Sequence, residues 1–272
     1  MKSLAAALRV LAEFSHTEEE LTVTELSNRL GLGKSQVSRM LGTFREAGWV
    51  SQNPRSRAFS VGLKAYAFGA LFVNANRLTR EALPVLRSIV DRCGFTATLS
   101  VLDGIEPLYL LGIEASVFVE FGSRAGSYFP FHATAPGKLL AAYAPERVLE
   151  RMIARAGLPQ HTPQTITDPG ALRTHLQAVR KRGYAASLGE RTPGIGALAV
   201  PVFAAEGQFE AGLGIVYPLK LVAPEEFSYY VAILHAGAQT LSLRLGASAY
   251  PFQVSAETGS IRARRLRMSE GV

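Results

Sequence analysis

Ser35-Gln36-Val37-Ser38-Arg39-Met40-Leu41-Gly42-Thr43-Phe44 places Val37, Met40, Leu41 and Phe44 at i, i+3, i+4 and i+7, the apolar stripe of a half-buried helix. The opposite face carries Ser35, Gln36, Ser38, Arg39 and Thr43, short hydrogen-bonding groups and a guanidinium suited to base edges and phosphates. Just upstream, Thr24 precedes a short run in which Leu26 and Leu30 share a face, and Gly31 breaks it. Downstream, Gly48 stops the second helix; Trp49-Val50-Ser51-Gln52 and Ala58-Phe59-Ser60-Val61 then alternate like two short strands. The turn between them, Asn53-Pro54-Arg55-Ser56-Arg57, brings two arginines to a hairpin tip. Helix, glycine break, polar helix and basic hairpin in this order predict a winged helix-turn-helix and duplex DNA as its partner. The bland alternative is a solvated polar face on a protein-binding module.

Length and composition set the frame around this module. A chain of 272 residues holds two domains on a prior of about 100–200 residues each. Hydrophobic content of 48% with 19% charged residues excludes a disordered chain and predicts a soluble protein with a substantial core. The formal charge of +7 favours a polyanionic partner. Part of that excess sits in Arg262, Arg264, Arg265 and Arg267, a tail read either as solvated or as an auxiliary DNA contact. The lone cysteine, Cys93, excludes an intramolecular disulfide framework and reads as a small buried or half-buried residue. No stretch approaches the ~20 apolar residues of a membrane span and the start lacks a long apolar leader, so the expected location is the cytoplasm.

Leu4, Leu8, Val10, Leu11 and Phe14 predict an amphipathic opening helix packed under the reading helix, followed by a polar, acidic connection from His16 to Glu20 that should avoid phosphate. Leu63 to Val73 reads as a linker helix with an exposed apolar side suited to a subunit contact. Asn74-Ala75-Asn76-Arg77 then breaks it. Helical periodicity resumes from Leu78 to Cys93, with Pro84 expected near a first turn or at a kink. Strands are expected over residues 95–102, 107–113, 117–121, 184–187, 195–203 and 209–217. Helices are expected over 135–143 and 145–156, from the N-cap Asp168 with Pro169 at its first position to Arg180, and from Pro224 to about Leu245.

Together these segments resemble the IclR family of bacterial transcriptional regulators. The helix-turn-helix residues 26–41 carry the likeness, with Phe131-His132-Ala133-Thr134-Ala135-Pro136-Gly137-Lys138-Leu139-Leu140-Ala141, residues 162–168, residues 179–185 and residues 197–202. The resemblance implies an α+β protein: a winged helix-turn-helix over residues 1–63, a dimerising linker over 64–77, a GAF-like α/β effector-binding domain over 78–247, and a basic tail over 248–272. It also implies a homodimer or homotetramer, a small organic acid effector, and control of a catabolic operon by repression or activation. By the same resemblance the effector site comprises Phe131, His132, Ala135, Gly137, Lys138, Ser187, Ala197, Gly214 and Val216. Ser187, Ala197, Gly214 and Val216 stand where the family carries an acid, a cysteine and two serines. That change predicts a larger, more apolar ligand, an aromatic or alicyclic acid. An alternative keeps the fold but makes the C-terminal domain only an oligomerisation module.

Within that loop Lys138 has two readings, as a counter-charge to an effector carboxylate or as a helix-start residue with its ammonium in solvent. His132 is either a loop histidine or a ligand contact. The backbone N–H groups opening the helix after Ala135 are the expected anion site. No enzyme is expected, because no nucleophile, base and orienting group can be assembled and the Gly-Lys pair lacks P-loop spacing. The five histidines, His16, His132, His161, His175 and His235, are scattered, so neither a metal nor a cofactor is expected. Base contacts fall to Gln36, Ser38 and Arg39, and backbone contacts to Lys34, Ser35, Thr43, Arg55 and Arg57.

Overall fold

The computed structural model describes residues 2–14, 18, 20–115 and 124–252. His16, the strand expected at 117–121 and the four tail arginines lie outside them. The chain forms two compact units: one comprises the described residues up to Arg80 together with residues 124–127, and the other the remaining described residues from Glu81.

The first unit contains α1 (Lys2–Ala12), α2 (Val23–Leu30), α3 (Lys34–Glu46), β1 (Val50–Gln52), β2 (Phe59–Val61) and α4 (Leu63–Ala75). The start of α2 is set by Thr22, not Thr24. The Thr22 hydroxyl accepts from the Glu25 N–H while the Glu25 carboxylate accepts from the Thr22 N–H, a capping box that fixes the helix two residues earlier than expected. Gly31 ends α2 at φ 64°, a left-handed conformation that glycine adopts without strain. Val37 and Leu41 of α3 are buried against Val10, Leu21, Leu26, Leu30, Val50 and Phe59, with Met40 and Phe44 packed at the edge. In α1 the buried face is Ala6 and Val10. Leu4 and Leu8, expected in the core, are 63% and 58% exposed. Periodicity alone counts every leucine inward, whereas only part of the helix circumference meets the core.

β1 and β2 pair antiparallel, Val50 with Val61 and Gln52 with Phe59, and Leu21 bridges to Phe59 on the far side. Gly62 follows at a close approach: a Cβ there would lie 2.4 Å from the Gly48 carbonyl oxygen. Along α4 no side chain is buried, and Leu63, Tyr66, Phe68, Leu71 and Phe72 are exposed.

The second unit is built on an antiparallel sheet of order β4-β3-β7-β6-β5, from β3 (Thr96–Asp103), β4 (Glu106–Ile113), β5 (Ala185–Leu188), β6 (Ile195–Phe203) and β7 (Phe209–Pro218). The helices are α5 (Arg77–Cys93), which belongs to this unit from Glu81 onward, α6 (Ala135–Tyr143), α7 (Glu146–Ala156), α8 (Pro169–Arg182) and α9 (Phe227–Arg244). Facing residues in antiparallel pairs share a side of the sheet. One side therefore carries Thr96, Thr98, Ser100, Ala185, Ser187, Ala197, Ala199, Gly212, Gly214 and Val216. This small-residue side meets α6 and α8, through Ala185 and Ala199 packed with Phe131, Ala135, Leu139, Leu172 and Leu176. The other side carries Tyr217, whose ring meets Phe95 and Phe227 towards α9. Pro84 sits well inside α5, more than a turn beyond its start, so the first-turn expectation fails. Cys93 is half-buried, and burial pushes its thiol up to about 11. The expected tail is docked over its first residues: the Tyr250 hydroxyl donates to the Pro201 carbonyl at 3.0 Å, and Phe252 packs on His235.

Candidate functional site

The outer face of α3 presents Lys34, Ser35, Ser38, Arg39 and Thr43 to solvent, and Gln36 is half-buried between that face and the core. Gly33 caps α3 without a side chain, so the first-turn N–H groups are not closed off by a capping hydroxyl and suit a phosphate. The Thr43 hydroxyl donates back to the Arg39 carbonyl at 3.1 Å, which fixes its rotamer and leaves its oxygen as an acceptor. In the wing, Asn53 Oδ1 accepts from the N–H groups of Arg55 and Ser56, and Arg57 turns at φ 61°. Arg55 and Arg57 are both exposed at the tip. A polar bridge ties wing to reading helix: Arg45 donates to Gln52 Oε1 at 2.8 Å, and Gln52 Nε2 donates to the Arg57 carbonyl at 2.9 Å.

In the second unit the resemblance-derived residues converge on the start of α6 and the small-residue side of the sheet. Ser187, Ala197, Val216 and Thr96 stand in one cross-strand row, and Ala185, Ala199, Gly214 and Thr98 form the next. Phe131, His132, Ala135 and Lys138 are buried beside them. Gly137 is required where it stands, since a Cβ would fall 2.6 Å from the Phe131 Cα and carbonyl oxygen. Gly214 adds no open space for a larger ligand: a Cβ there would lie 2.5 Å from the Leu198 carbonyl oxygen and 3.2 Å from the Thr98 hydroxyl. Nor is this side of the sheet apolar. Thr96, Thr98 and Ser100 place buried hydroxyls on it from β3, a strand that no motif ties to the effector site.

The start of α6 is a poorer anion site than its sequence implies. Pro136 has no N–H, and the Thr134 hydroxyl accepts from the Gly137 N–H at 3.1 Å, which leaves Ala135 as the first-turn donor without a partner among the described residues. Lys138 is 0% exposed, so its ammonium is not in solvent. It donates to Glu190 Oε1 at 2.5 Å, a carboxylate three residues beyond the expected acidic position. Burial lowers the Lys138 proton affinity and the Glu190 charge opposes that effect. Glu190 Oε2 is buried without a partner among the described residues. The loop carrying Glu190 is held by the segment 162–168: Thr162 donates to the Gly189 carbonyl at 2.8 Å, and Thr165 to the Glu190 carbonyl at 2.6 Å. His132 Nε2 lies 2.9 Å from the Pro159 carbonyl, and burial, its largest influence, lowers its proton affinity. Ser187 is a tether as well as a wall, its hydroxyl donating to the Ala133 carbonyl at 3.1 Å.

Among the described residues no helix is long and apolar enough to cross a membrane, and no three His, Cys, Asp or Glu side chains gather as a metal site.

Against known proteins, the family described as "Bacterial transcriptional regulator IclR C-terminal" matches residues 71–243, and the IclR helix-turn-helix domain matches residues 3–54. The chain is 34% identical over 242 residues to the HTH-type transcriptional regulator BhcR of Paracoccus denitrificans, covering 89% of this chain and 86% of that one. It superposes with a TM-score of 0.80 and 32% identity on an IclR transcriptional regulator from Alicyclobacillus acidocaldarius, over 90% of this chain and 99% of the other. An IclR homolog from Microbacterium hydrocarbonoxydans, solved in complex with 4-hydroxybenzoate, matches at TM-score 0.77 and 27% identity over 89% and 98% of the two chains. With both domain families matched in order along one polypeptide, the protein belongs to the IclR family of DNA-binding bacterial transcriptional regulators.

Proposed function

We propose that this regulator acts in the cytoplasm as a homodimer or homotetramer that sets two copies of α3 in successive major grooves of a near-palindromic operator, and that an organic acid bound in the C-terminal domain alters that placement. Gln36, Ser38 and Arg39 contact or approach base edges, while Lys34, Ser35, Thr43, Arg55 and Arg57 grip the backbone. The observation that carries the reading is the two-sided character of α3: Val37 and Leu41 are fully buried, and Lys34, Ser35, Ser38, Arg39 and Thr43 opposite them are exposed. The exposed apolar side of α4 supports its use as a subunit contact.

The effector is an aromatic or other small organic acid, and the controlled genes are catabolic ones for that acid. Support comes from the small side chains at Ser187, Ala197 and Ala199, the hydroxyls of Thr96, Thr98 and Ser100, the Ala135 N–H, and the uncommitted donors of the Lys138 ammonium. The likeness to a homolog that holds 4-hydroxybenzoate points to the same ligand class. A ligand shifts the DNA-binding equilibrium only by its differential affinity for the two arrangements of the protein.

The test is fluorescence anisotropy on duplexes from the promoter region beside its own gene, with and without a panel of benzoates, hydroxybenzoates and aliphatic keto acids. A shift in operator affinity with one acid, and a thermal stabilisation of about 2.7 kcal/mol at 100 times its dissociation constant, supports the proposal. DNA binding that no acid alters would leave the second unit as an oligomerisation module.

A further inference from the structure

The acidic connection ahead of α2 is not inert. Glu20 Oε1 accepts from Asn53 Nδ2 at 2.9 Å, and Glu20 Oε2 accepts from the Ser56 hydroxyl at 3.0 Å. Both partners belong to the wing turn, more than thirty residues away in sequence. Leu21, the next residue, pairs with Phe59 through two backbone hydrogen bonds of 2.8 Å. Leu21 therefore forms an isolated bridge to the hairpin, and the Glu20 carboxylate beside it is held over the wing turn. From the opposite side the Arg45–Gln52–Arg57 bridge described above reaches the same turn. Clamped on both sides, the tip 54–57 has its backbone fixed while the Arg55 and Arg57 side chains extend outward.

We infer that Glu20 is a positioning residue for DNA binding: its carboxylate holds the wing in the orientation from which Arg55 and Arg57 reach phosphate. This rests on the proposed role of the wing. An acidic side chain near a DNA-facing loop costs affinity through repulsion with phosphate, so its presence there is explained by the two hydrogen bonds and not by its charge. Glutamine keeps both contacts while reversing one, since its carbonyl accepts from Asn53 Nδ2 and its amide donates to Ser56 Oγ where the hydroxyl donates to Glu20, and it removes the charge. Alanine removes both.

Four variants decide it: Glu20→Gln, Glu20→Ala, Arg55→Ala, and Glu20→Ala combined with Arg55→Ala. In the full chain, Glu20→Ala should bind operator and random duplex several-fold more weakly, by the same factor. Its affinity change between 50 and 200 mM salt should narrow by roughly threefold for each phosphate the wing no longer neutralises, following a slope of about 0.9 per phosphate. Glu20→Gln should bind as tightly as wild type or more tightly. Adding Arg55→Ala to Glu20→Ala should cost little more, because the guanidinium is already misplaced.

Amide hydrogen exchange on the free protein reads the brace without DNA: the Asn53 and Arg57 N–H groups should exchange faster in Glu20→Ala and at the wild-type rate in Glu20→Gln. Unchanged exchange in Glu20→Ala overturns the inference and leaves the DNA reading intact. Accelerated exchange with unchanged affinity in both Glu20→Ala and Arg55→Ala overturns it by removing the wing from the interface. Fully additive losses also overturn it, since a domain that is merely destabilised would lose affinity independently of Arg55.

Discussion

Removing the Glu190 carboxylate should unfold the C-terminal unit far more readily than its place on a loop suggests. Lys138 is 0% exposed and its Nζ lies 2.5 Å from Glu190 Oε1, whose side chain is 11% exposed. Glu190→Ala would strand a buried ammonium, and breaking one side of a buried pair costs about 3–5 kcal/mol. The loop itself should survive, because Thr162 and Thr165 hold backbone carbonyls and not the Glu190 side chain. The change therefore isolates the charge. For a domain of this size the cost corresponds to a lower melting temperature by roughly 6–20 °C. Replacing both partners, Lys138→Met with Glu190→Leu, should return stability to within about 1 kcal/mol of wild type or above it. The protein carries one tryptophan, Trp49, in the first unit, so its fluorescence follows that unit while tyrosine near-UV circular dichroism is weighted to the second. The tyrosine transition should move and the tryptophan transition should stay. A destabilisation under about 1 kcal/mol in Glu190→Ala, or a double variant as unstable as the sum of the singles, would refute the reasoning.

Other outcomes follow from the same geometry. Gly137→Ala should cost about 1–3 kcal/mol by overpacking against the Phe131 backbone, readable as a shift in the tyrosine-detected urea midpoint; an unshifted midpoint would show that the α6 start can relax. Burial holds the imidazoles of His175 and His235 down to about 4. Their folded values lie below the unfolded one near 6.5, so the stability they contribute is present above about pH 6.5 and is lost as pH falls towards 4. Urea melts across that window should show the decline, and His235→Phe should flatten it; an equally steep decline in that variant would assign the loss elsewhere.

Most element positions are legible from short-range signals. Asp168 with Pro169 marks the start of α8, and Gly31 marks the end of α2, because a cap or a left-handed turn is decided by neighbouring residues. Thr22 is harder to see, since the capping box requires Glu25 to be read together with it, whereas Thr24 is as suitable a cap taken alone. What no local pattern reveals is pairing across the chain. Lys138 and Glu190 are 52 positions apart, and a lysine one turn into a helix gives no sign that it will be sealed from water. Likewise the hydroxyls of Thr96 and Thr98 join the candidate site only because β3 lies beside β7. On the DNA side little is hidden, because the exposed face of α3 is the complement of a periodic apolar stripe. The resemblance to the IclR family supplies the effector-site residues, and neither periodicity nor composition points to them.

The outer face of α3 is held to read DNA sequence, and Arg39 tests this most directly. Dissociation constants of wild type and Arg39→Ala should be measured on the operator and on a scrambled duplex at one salt concentration. Removal of a base contact worth about 1–3 kcal/mol should shrink the operator-to-scrambled affinity ratio by roughly 5- to 150-fold, with scrambled binding little changed. Equal losses on both duplexes would move Arg39 to the backbone, and no loss on either would take that face of α3 out of the groove.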